Sequence, residues 1–359
     1  MIHIVLGTKA QLIKMAPVMR ALIDNNLKYR FITTGQHQET MTDILSNFEL
    51  RGPDYSLHDG KDITSIPSML LWIVKIIIKT IFNRREIFGG DKSGIVLVHG
   101  DTFSTLLGAL MGRVAGLKVG HIESGLRSYH LLHPFPEEIT RLITFRLSTH
   151  LFCPGEWAVN NVSQYKAEKI NTFYNTLSDS LSYSHGFDKN IDIKVPNSQY
   201  AVATIHRVEN IYSLSAITRI VSTIETIAQH IHIIFILHKT TENKLKRFGL
   251  YNSLNKNPNI EFRGRYDYFR FIKLISSADF VISDGGSNQE ECSYLGIPVL
   301  LLRMATERQE GLGKNCLLSK FDDNAIQSFT KNYESYRIKA DIPPKSPSSI
   351  IAEACKEFV

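Results

Sequence analysis

Short apolar runs alternate with amphipathic stretches along this chain, a pattern that predicts strands alternating with helices. Ile2-His3-Ile4-Val5-Leu6 reads as a strand, followed by a helix over 9–24 and a strand over 28–33. Strands follow at 94–98 and 118–122 with a helix between them, then a helix over 137–148 and the strand His150-Leu151-Phe152-Cys153. This order is that of a parallel, doubly wound sheet. A polar, mixed stretch over 182–197, carrying Pro196, reads as a linker or loop. The pattern then restarts with the strand Tyr200-Ala201-Val202-Ala203-Thr204, a helix over 212–229 and the strand His232-Ile233-Ile234-Phe235-Ile236. Further strands are expected at 259–262, 279–283 and 298–302. The predicted fold class is α/β: two Rossmann-like domains with parallel sheets, facing each other across a cleft. The expected boundaries are 1–175 and 176–342, with a C-terminal helix in 343–359 packing back on the first domain.

The segment 69–82 is very apolar and ends in Arg84-Arg85. It falls short of the roughly 20 apolar residues of a membrane span. Two readings remain open. One is a helix buried on most of its surface, including in a homodimer interface. The other is a basic amphipathic helix over 69–85 in peripheral contact with an anionic membrane, with Lys75 and Lys79 on one face.

Composition changes this picture little. The 359 residues suffice for about two domains. Hydrophobic residues make up 43% and charged residues 21%, which excludes a disordered chain. The net charge of +6 suits an anionic substrate and is too diffuse to argue nucleic acid. Cys153, Cys292, Cys316 and Cys355 are scattered, without a CxxC pair or metal spacing, so reduced thiols in a cytoplasmic protein and no metal are expected. The chain opens directly as a strand, and no signal peptide is expected.

The candidate chemistry lies at predicted strand ends, where open α/β sheets bind ligands. Asp101 ends one strand, Glu123 ends the next, and Glu137 opens a helix in Pro134-Phe135-Pro136-Glu137-Glu138. Carboxylates at such an edge are candidates for proton transfer, because burial and crowding set their protonation states apart. Arg127 and Arg141 flank them, and an i,i+4 ion pair with Glu137 is the simpler reading of Arg141. Gly7-Thr8-Lys9-Ala10-Gln11 opens a helix that carries Lys14, and its free backbone N–H groups would suit a phosphate. An ordinary strand–helix turn explains the same residues. Asp284-Gly285-Gly286-Ser287 precedes a helix carrying Glu291. Gly285 and Gly286 would admit a diphosphate, Ser287 adds a hydroxyl, and Glu291 could accept from a ribose diol. A helix cap by Asp284 or Ser287 is the alternative. His206 beside Arg207, His238 and Arg308 complete the candidates, each at a strand end or in the loop after one.

Together these residues resemble the non-hydrolysing UDP-N-acetylglucosamine 2-epimerases. His99-Gly100-Asp101-Thr102, His121-Ile122-Glu123-Ser124-Gly125-Leu126-Arg127, Pro136-Glu137-Glu138, Gln289-Glu290-Glu291 and Thr306-Glu307-Arg308 match that family's blocks in order and at similar spacing. The resemblance implies a GT-B-like fold, UDP held in the cleft, and a reaction without cofactor. In it a carboxylate removes the C2 proton of the sugar, UDP leaves C1, and UDP re-adds after protonation on the opposite face. It implies Asp101, Glu123 and Glu137 as the acid/base set. It also implies His206, Lys14 and Lys9 at the diphosphate, Glu291 at the ribose, and Gln36-His37 where some members bind a regulatory substrate molecule. Gly60-Lys61 matches the regulatory region weakly. A dimer and a role in surface-polysaccharide synthesis follow from the same likeness.

The chain departs from the family at the nucleotide. The usual Gly-Thr-Arg-Pro-Glu reads Gly-Thr-Lys-Ala-Gln here, so Lys9 lacks arginine's bidentate fork and Gln11 lacks a charge. The usual Asp-Ser-Gly-Gly reads Asp284-Gly285-Gly286-Ser287, and Gly-Asn-Thr reads Tyr174-Asn175-Thr176. The competing readings are a UDP-sugar glycosyltransferase on the same scaffold, a hydrolysing epimerase and a non-catalytic UDP-sugar-binding protein.

Overall fold

The computed structural model describes residues 1–359 except 37–40, 59, 61–65, 131–135, 187–190, 307 and 342. The chain divides into two compact units, Met1–Tyr183 with Pro343–Val359, and Ser184–Ile342. Each is an α/β unit around one parallel sheet.

In the first unit β1 (Ile2–Leu6) lies centrally between β2 (Tyr29–Thr33) and β4 (Ile95–His99). The sheet continues to β3 (Tyr55–Ser56) on one side, and to β5 (Lys118–Ile122), β6 (His150–Cys153) and β7 (Glu168–Asn171) on the other, giving the order β3-β2-β1-β4-β5-β6-β7. Every pairing is parallel. The strand order reverses between β1 and β4. Connections leave these two strands towards opposite faces, so a crevice opens at their carboxyl ends.

The elements follow from the sequence. β1, β4 and β6 are buried throughout, as a parallel sheet covered on both faces requires. α1 (Lys9–Asp24) starts at a capping box in which Thr8 and Gln11 satisfy each other's backbone N–H groups. α4 (Phe103–Val114) starts in the same way at Thr102 and Thr105. Val5, Ile32, Val96, Val98 and Val119 pack with Leu107 and Met111 of α4 and with Trp72 and Ile76 of α3 (Ile66–Ile87). α15 (Pro347–Ala354) packs on α1, and Ser346 Oγ and Ser348 N donate to Asp179.

α3 is a single helix up to a kink at Asn83. Its outer face carries Leu70, Leu71, Val74, Ile78, Ile81 and Phe82, all exposed. Lys75 and Lys79 lie one turn apart on α3, but their ammonium groups go different ways. Lys75 is exposed, whereas Lys79 turns inward and donates to the carbonyls of Ser56 and Leu57 over the Tyr55 ring. Two inward acceptors and an aromatic face are better partners for its ammonium than water alone. Among the described residues, no helix is long and apolar enough to cross a membrane.

The second unit repeats the topology. Its sheet runs β10 (Ile260–Gly264), β9 (His232–Leu237), β8 (Tyr200–Thr204), β11 (Phe280–Ser283), β12 (Val299–Leu301), β13 (Cys316–Leu318), all parallel. The reversal lies between β8 and β11. The helix expected over 212–229 is α9 (Leu214–Ile227), capped at its N-terminus by Ser213 and preceded by the short α8 (Val208–Ile211). The strip Ile217, Ile220, Val221, Ile224 and Ile227 of α9 is buried on the sheet. The four cysteines are free and buried.

Candidate functional site

In the first unit, the site residues gather where β1, β4 and β5 end. Gly7 carries the chain so close to its neighbours that a β-carbon there would lie 2.0 Å from Ser104 Oγ and 2.1 Å from Thr34 Oγ1. The first two N–H groups of this turn, expected to be free for a phosphate, are taken up by a side chain. Gln11 Oε1 accepts from Gly7 N at 3.0 Å and Thr8 N at 3.1 Å. The buried Gln11 amide also donates to His99 O at 2.8 Å and Thr105 Oγ1 at 2.9 Å. The carboxamide thus ties the β1 turn to the end of β4, and a carboxylate could not make the two donations. Lys9 stands half-exposed at the start of α1.

Lys14 points to a carboxylate rather than to open solvent. Its Nζ lies 2.5 Å from Glu123 Oε1, which also accepts from Asn175 Nδ2 at 2.5 Å. Glu123 itself has φ +65°, in the left-handed region that non-glycine residues seldom adopt, and its side chain is 8% exposed. The other oxygen, Oε2, is 3.8 Å from His99 Nε2. His121, fully buried one turn of the pleat earlier, donates from Nε2 to Gly100 O at 2.7 Å. Burial pushes its imidazole down to about 4 against the opposing pull of the Gly100 carbonyl, Glu123 and Asp101. It is a neutral prop for the Gly100-Asp101 turn.

Asp101, partly exposed, forms an ion pair with Arg141. Arg141 does not pair with Glu137 as its i,i+4 spacing suggested. Its second partner is Glu138, at 3.3 Å. Glu138 is fully buried and binds Arg127 Nε at 2.5 Å and Ser128 N at 3.0 Å. Burial opposes its charge, but the Ser128 N–H and the two guanidiniums outweigh that and hold its carboxyl below the ordinary value. Arg127 and Arg141 are therefore braced on protein carboxylates. Glu137, half-buried at the first turn of α5 (Glu137–Leu147), is tied by its carbonyl to the Thr140 hydroxyl, which also reaches Asp101 O.

In the second unit the site forms between the ends of β8 and β11. Asp284, fully buried, accepts from His206 N at 3.0 Å, Arg207 N at 3.0 Å and Asn210 Nδ2 at 2.9 Å. It clips the two strand ends together rather than capping the following helix. The His206 ring lies over Gly285, where a β-carbon would be 2.8 Å from His206 Cε1, and stacks on His238 at 4.9 Å. Its side chain is 40% exposed, with Nδ1 3.4 Å from Asp284. Desolvation of its packed face, with Arg207 and Arg265, outweighs Asp284 and lowers its pKa.

α13 (Gly286–Leu295) begins with Gly286 buried and Ser287 exposed. The inner hydroxyl is Ser283, which accepts from Gly285 N at 2.9 Å and donates to Asn288 Oδ1 at 2.9 Å. Asn288 in turn holds Glu291, 5% exposed, at 3.0 Å. Arg308 pairs with the buried Glu290 at 2.6 Å, and Gln289 fastens the same loop through Thr306 Oγ1 and the carbonyls of Arg308 and Glu310. Pro134, Phe135, His37, Lys61 and Glu307 lie outside the described residues.

Gln11, His99, His121, Glu138, Asn175, Asn210 and Asp284 organise these sites without having been singled out for that work. All but Asn210 sat inside motifs already noted, yet apart from those of Glu138 their partners lie far along the chain.

The family model for UDP-N-acetylglucosamine 2-epimerase matches residues 20–341. The chain is 35% identical to the UDP-N-acetylglucosamine 2-epimerase of Methanococcus maripaludis, over 94% of this chain and 92% of that protein. Among solved structures, the Neisseria meningitidis UDP-GlcNAc 2-epimerase bound to UDP-GlcNAc is 30% identical, with a TM-score of 0.84 over 99% of each chain. The Methanocaldococcus jannaschii UDP-GlcNAc 2-epimerase in complex with UDP-GlcNAc and UDP is 26% identical, with a TM-score of 0.83 over 99% of each chain. The chain belongs to the UDP-N-acetylglucosamine 2-epimerase family.

Proposed function

We propose that this protein is a non-hydrolysing epimerase that interconverts UDP-GlcNAc and UDP-ManNAc. The observation that carries the reading is the buried Glu123 carboxylate, held by Lys14 and Asn175 at the carboxyl end of β5, in a chain of this family. A C2 proton is weakly acidic, and its removal requires a positioned base and stabilisation of the departing diphosphate. The carboxylates Asp101, Glu123 and Glu137 form the acid/base set. One takes the C2 proton, the C1–O bond to UDP breaks, and its electron pair leaves on the diphosphate, giving 2-acetamidoglucal and UDP. A proton is then delivered to the opposite face of C2 and the UDP oxygen re-forms the bond to C1.

In the second unit the Gly285-Gly286 turn and His206 receive the diphosphate, with His238 behind His206, Ser287 on the open side and Glu291 on the ribose. Lys9 is a cation for phosphate in the first unit. Arg127, Arg141 and Arg308 serve by holding Asp101 and their loops in place. No cofactor takes part in this scheme. The product suits surface-polysaccharide synthesis in the cytoplasm, where free, buried thiols are at home.

Incubation with UDP-GlcNAc followed by chromatography tests the reading. UDP-ManNAc as the new species supports it; free ManNAc with UDP would make the enzyme a hydrolysing one.

The same reading includes a homodimer through the outer face of α3. Six large apolar side chains on one helix face are an association surface. Light scattering should give a dimer, and Phe82→Glu with Ile78→Glu a monomer. A monomeric wild type that binds anionic vesicles would replace the dimer with peripheral membrane contact.

A further inference from the structure

A cluster away from these sites has the geometry of a metal centre. His150 lies on β6, Glu168 opens the adjacent β7, and Glu357 comes from the C-terminal turn that follows α15. Their ligand atoms lie within 4.8 Å of one another. His150 Nε2 is 3.4 Å from Glu168 Oε2 and 3.3 Å from Glu357 Oε1. Ligand atoms about 2.0–2.1 Å from a tetrahedral zinc are separated by roughly 3.3–3.4 Å along each edge, so both edges at the histidine already have that length. The glutamates are 64% and 56% exposed, free to close the third edge and to leave a coordination position to water.

The hydrogen bonding around the ring supplies a second, independent reason. The His150 side chain is only 6% exposed, and its Nδ1 is 2.8 Å from Thr149 Oγ1. That hydroxyl donates to Val119 O at 3.0 Å and accepts from Val119 N at 3.1 Å. With the hydroxyl proton committed to the carbonyl, Nδ1 is the protonated nitrogen and donates to Thr149. In the neutral ring Nε2 then directs its lone pair at two carboxylates. A hydrogen bond from the far nitrogen to a fixed oxygen is also how metal-binding histidines are oriented. The edge of the Phe358 ring packs on His150 at 5.2 Å. Lys118, the neighbouring cation, is drawn over the same Phe358 ring.

We propose that His150, Glu168 and Glu357 form a three-ligand site for a divalent transition-metal ion, zinc foremost, that fastens the C-terminal turn to the edge of the first sheet. The N-terminus shares in this closure, because the Met1 amine donates to Phe358 O at 2.7 Å. The site is separate from the carboxylates of the epimerase reading and does not depend on it.

The test is calorimetric titration of the tag-free, full-length protein with zinc chloride, paired with cobalt(II) absorption. The expected result is one equivalent bound, a raised Tm, and the intense visible bands of four-coordinate cobalt. Glu168→Gln with Glu357→Gln changes exposed side chains and should stay folded by circular dichroism while weakening zinc at least ~10-fold and abolishing the cobalt bands. His150→Gln should do the same. A wild type that binds no zinc, or a folded double variant that binds it undiminished, would overturn the proposal.

Discussion

Nζ of Lys14 lies 2.5 Å from Oε1 of Glu123, and both side chains are buried. Asn175 occupies the same oxygen. In the proposed reaction, proton transfer by Glu123 would use Oε2, the oxygen on the His99 side. Lys14→Met should remove the cation from a buried carboxylate, at a cost of about 3–5 kcal/mol in stability. Denaturant unfolding should show the loss, and turnover should fall with it. Unchanged stability would mean that the pair is not formed in solution.

Gly285 makes room for the His206 ring. Gly285→Ala places a methyl 2.8 Å from His206 Cε1 and 2.7 Å from Asn288 Oδ1, so the ring must move. UDP affinity, measured by calorimetry, should fall at least ~10-fold, the equivalent of about 1.4 kcal/mol, with little change in Tm. Wild-type affinity in this variant would remove His206 from the diphosphate.

His206 also gives a pH dependence. Its Nδ1 faces Asp284, so Nε2 meets an anion as a donor only when the ring is protonated. Its lowered pKa leaves the free protein largely neutral there at pH 7. UDP-GlcNAc binding should therefore take up a proton and weaken as pH rises from 6 to 8, read in the Glu123→Gln variant to avoid turnover. His206→Gln should flatten that dependence. A flat profile in the unmodified site would contradict the assignment.

His121 couples pH to stability rather than to binding. Its pKa is about 4 in the folded protein against 6.5 as its ordinary value. The unfolded chain thus takes up a proton first as pH falls. The stabilisation is complete above about pH 6.5 and is lost progressively down to about pH 4, amounting to about 3 kcal/mol. His121→Asn should remove that part of the slope between pH 6.5 and 4. Identical slopes in the two proteins would show that His121 is not held neutral.

Where the fold was legible, the reason is local. β1, β4, β6 and β8 are largely apolar runs ending in polar residues, and the ends of such runs locate Asp101 and His206 without any structure. What escaped is long-range. Nothing near Gln11 announces that its amide will meet His99, 88 residues away, or near Asn175 that it will meet Glu123, 52 residues away. The short β3, β7 and β13 escaped too, because edge strands half-open to solvent lack a long apolar run. Arg141 shows the limit of spacing rules. The acid at i,i+4 is Glu137, but Arg141 pairs with Glu138 at i,i+3, whose fully buried carboxylate needs a cation.

The central claim is that a carboxylate of the first unit exchanges the C2 proton of a UDP-HexNAc with solvent. Proton NMR of UDP-GlcNAc incubated with the protein in D2O reads this directly. Loss of the C2 proton signal as UDP-ManNAc appears is the expected result, with neither change in Glu123→Gln while that variant still binds UDP. Epimerisation that retained the C2 proton, or full exchange in Glu123→Gln, would contradict the claim.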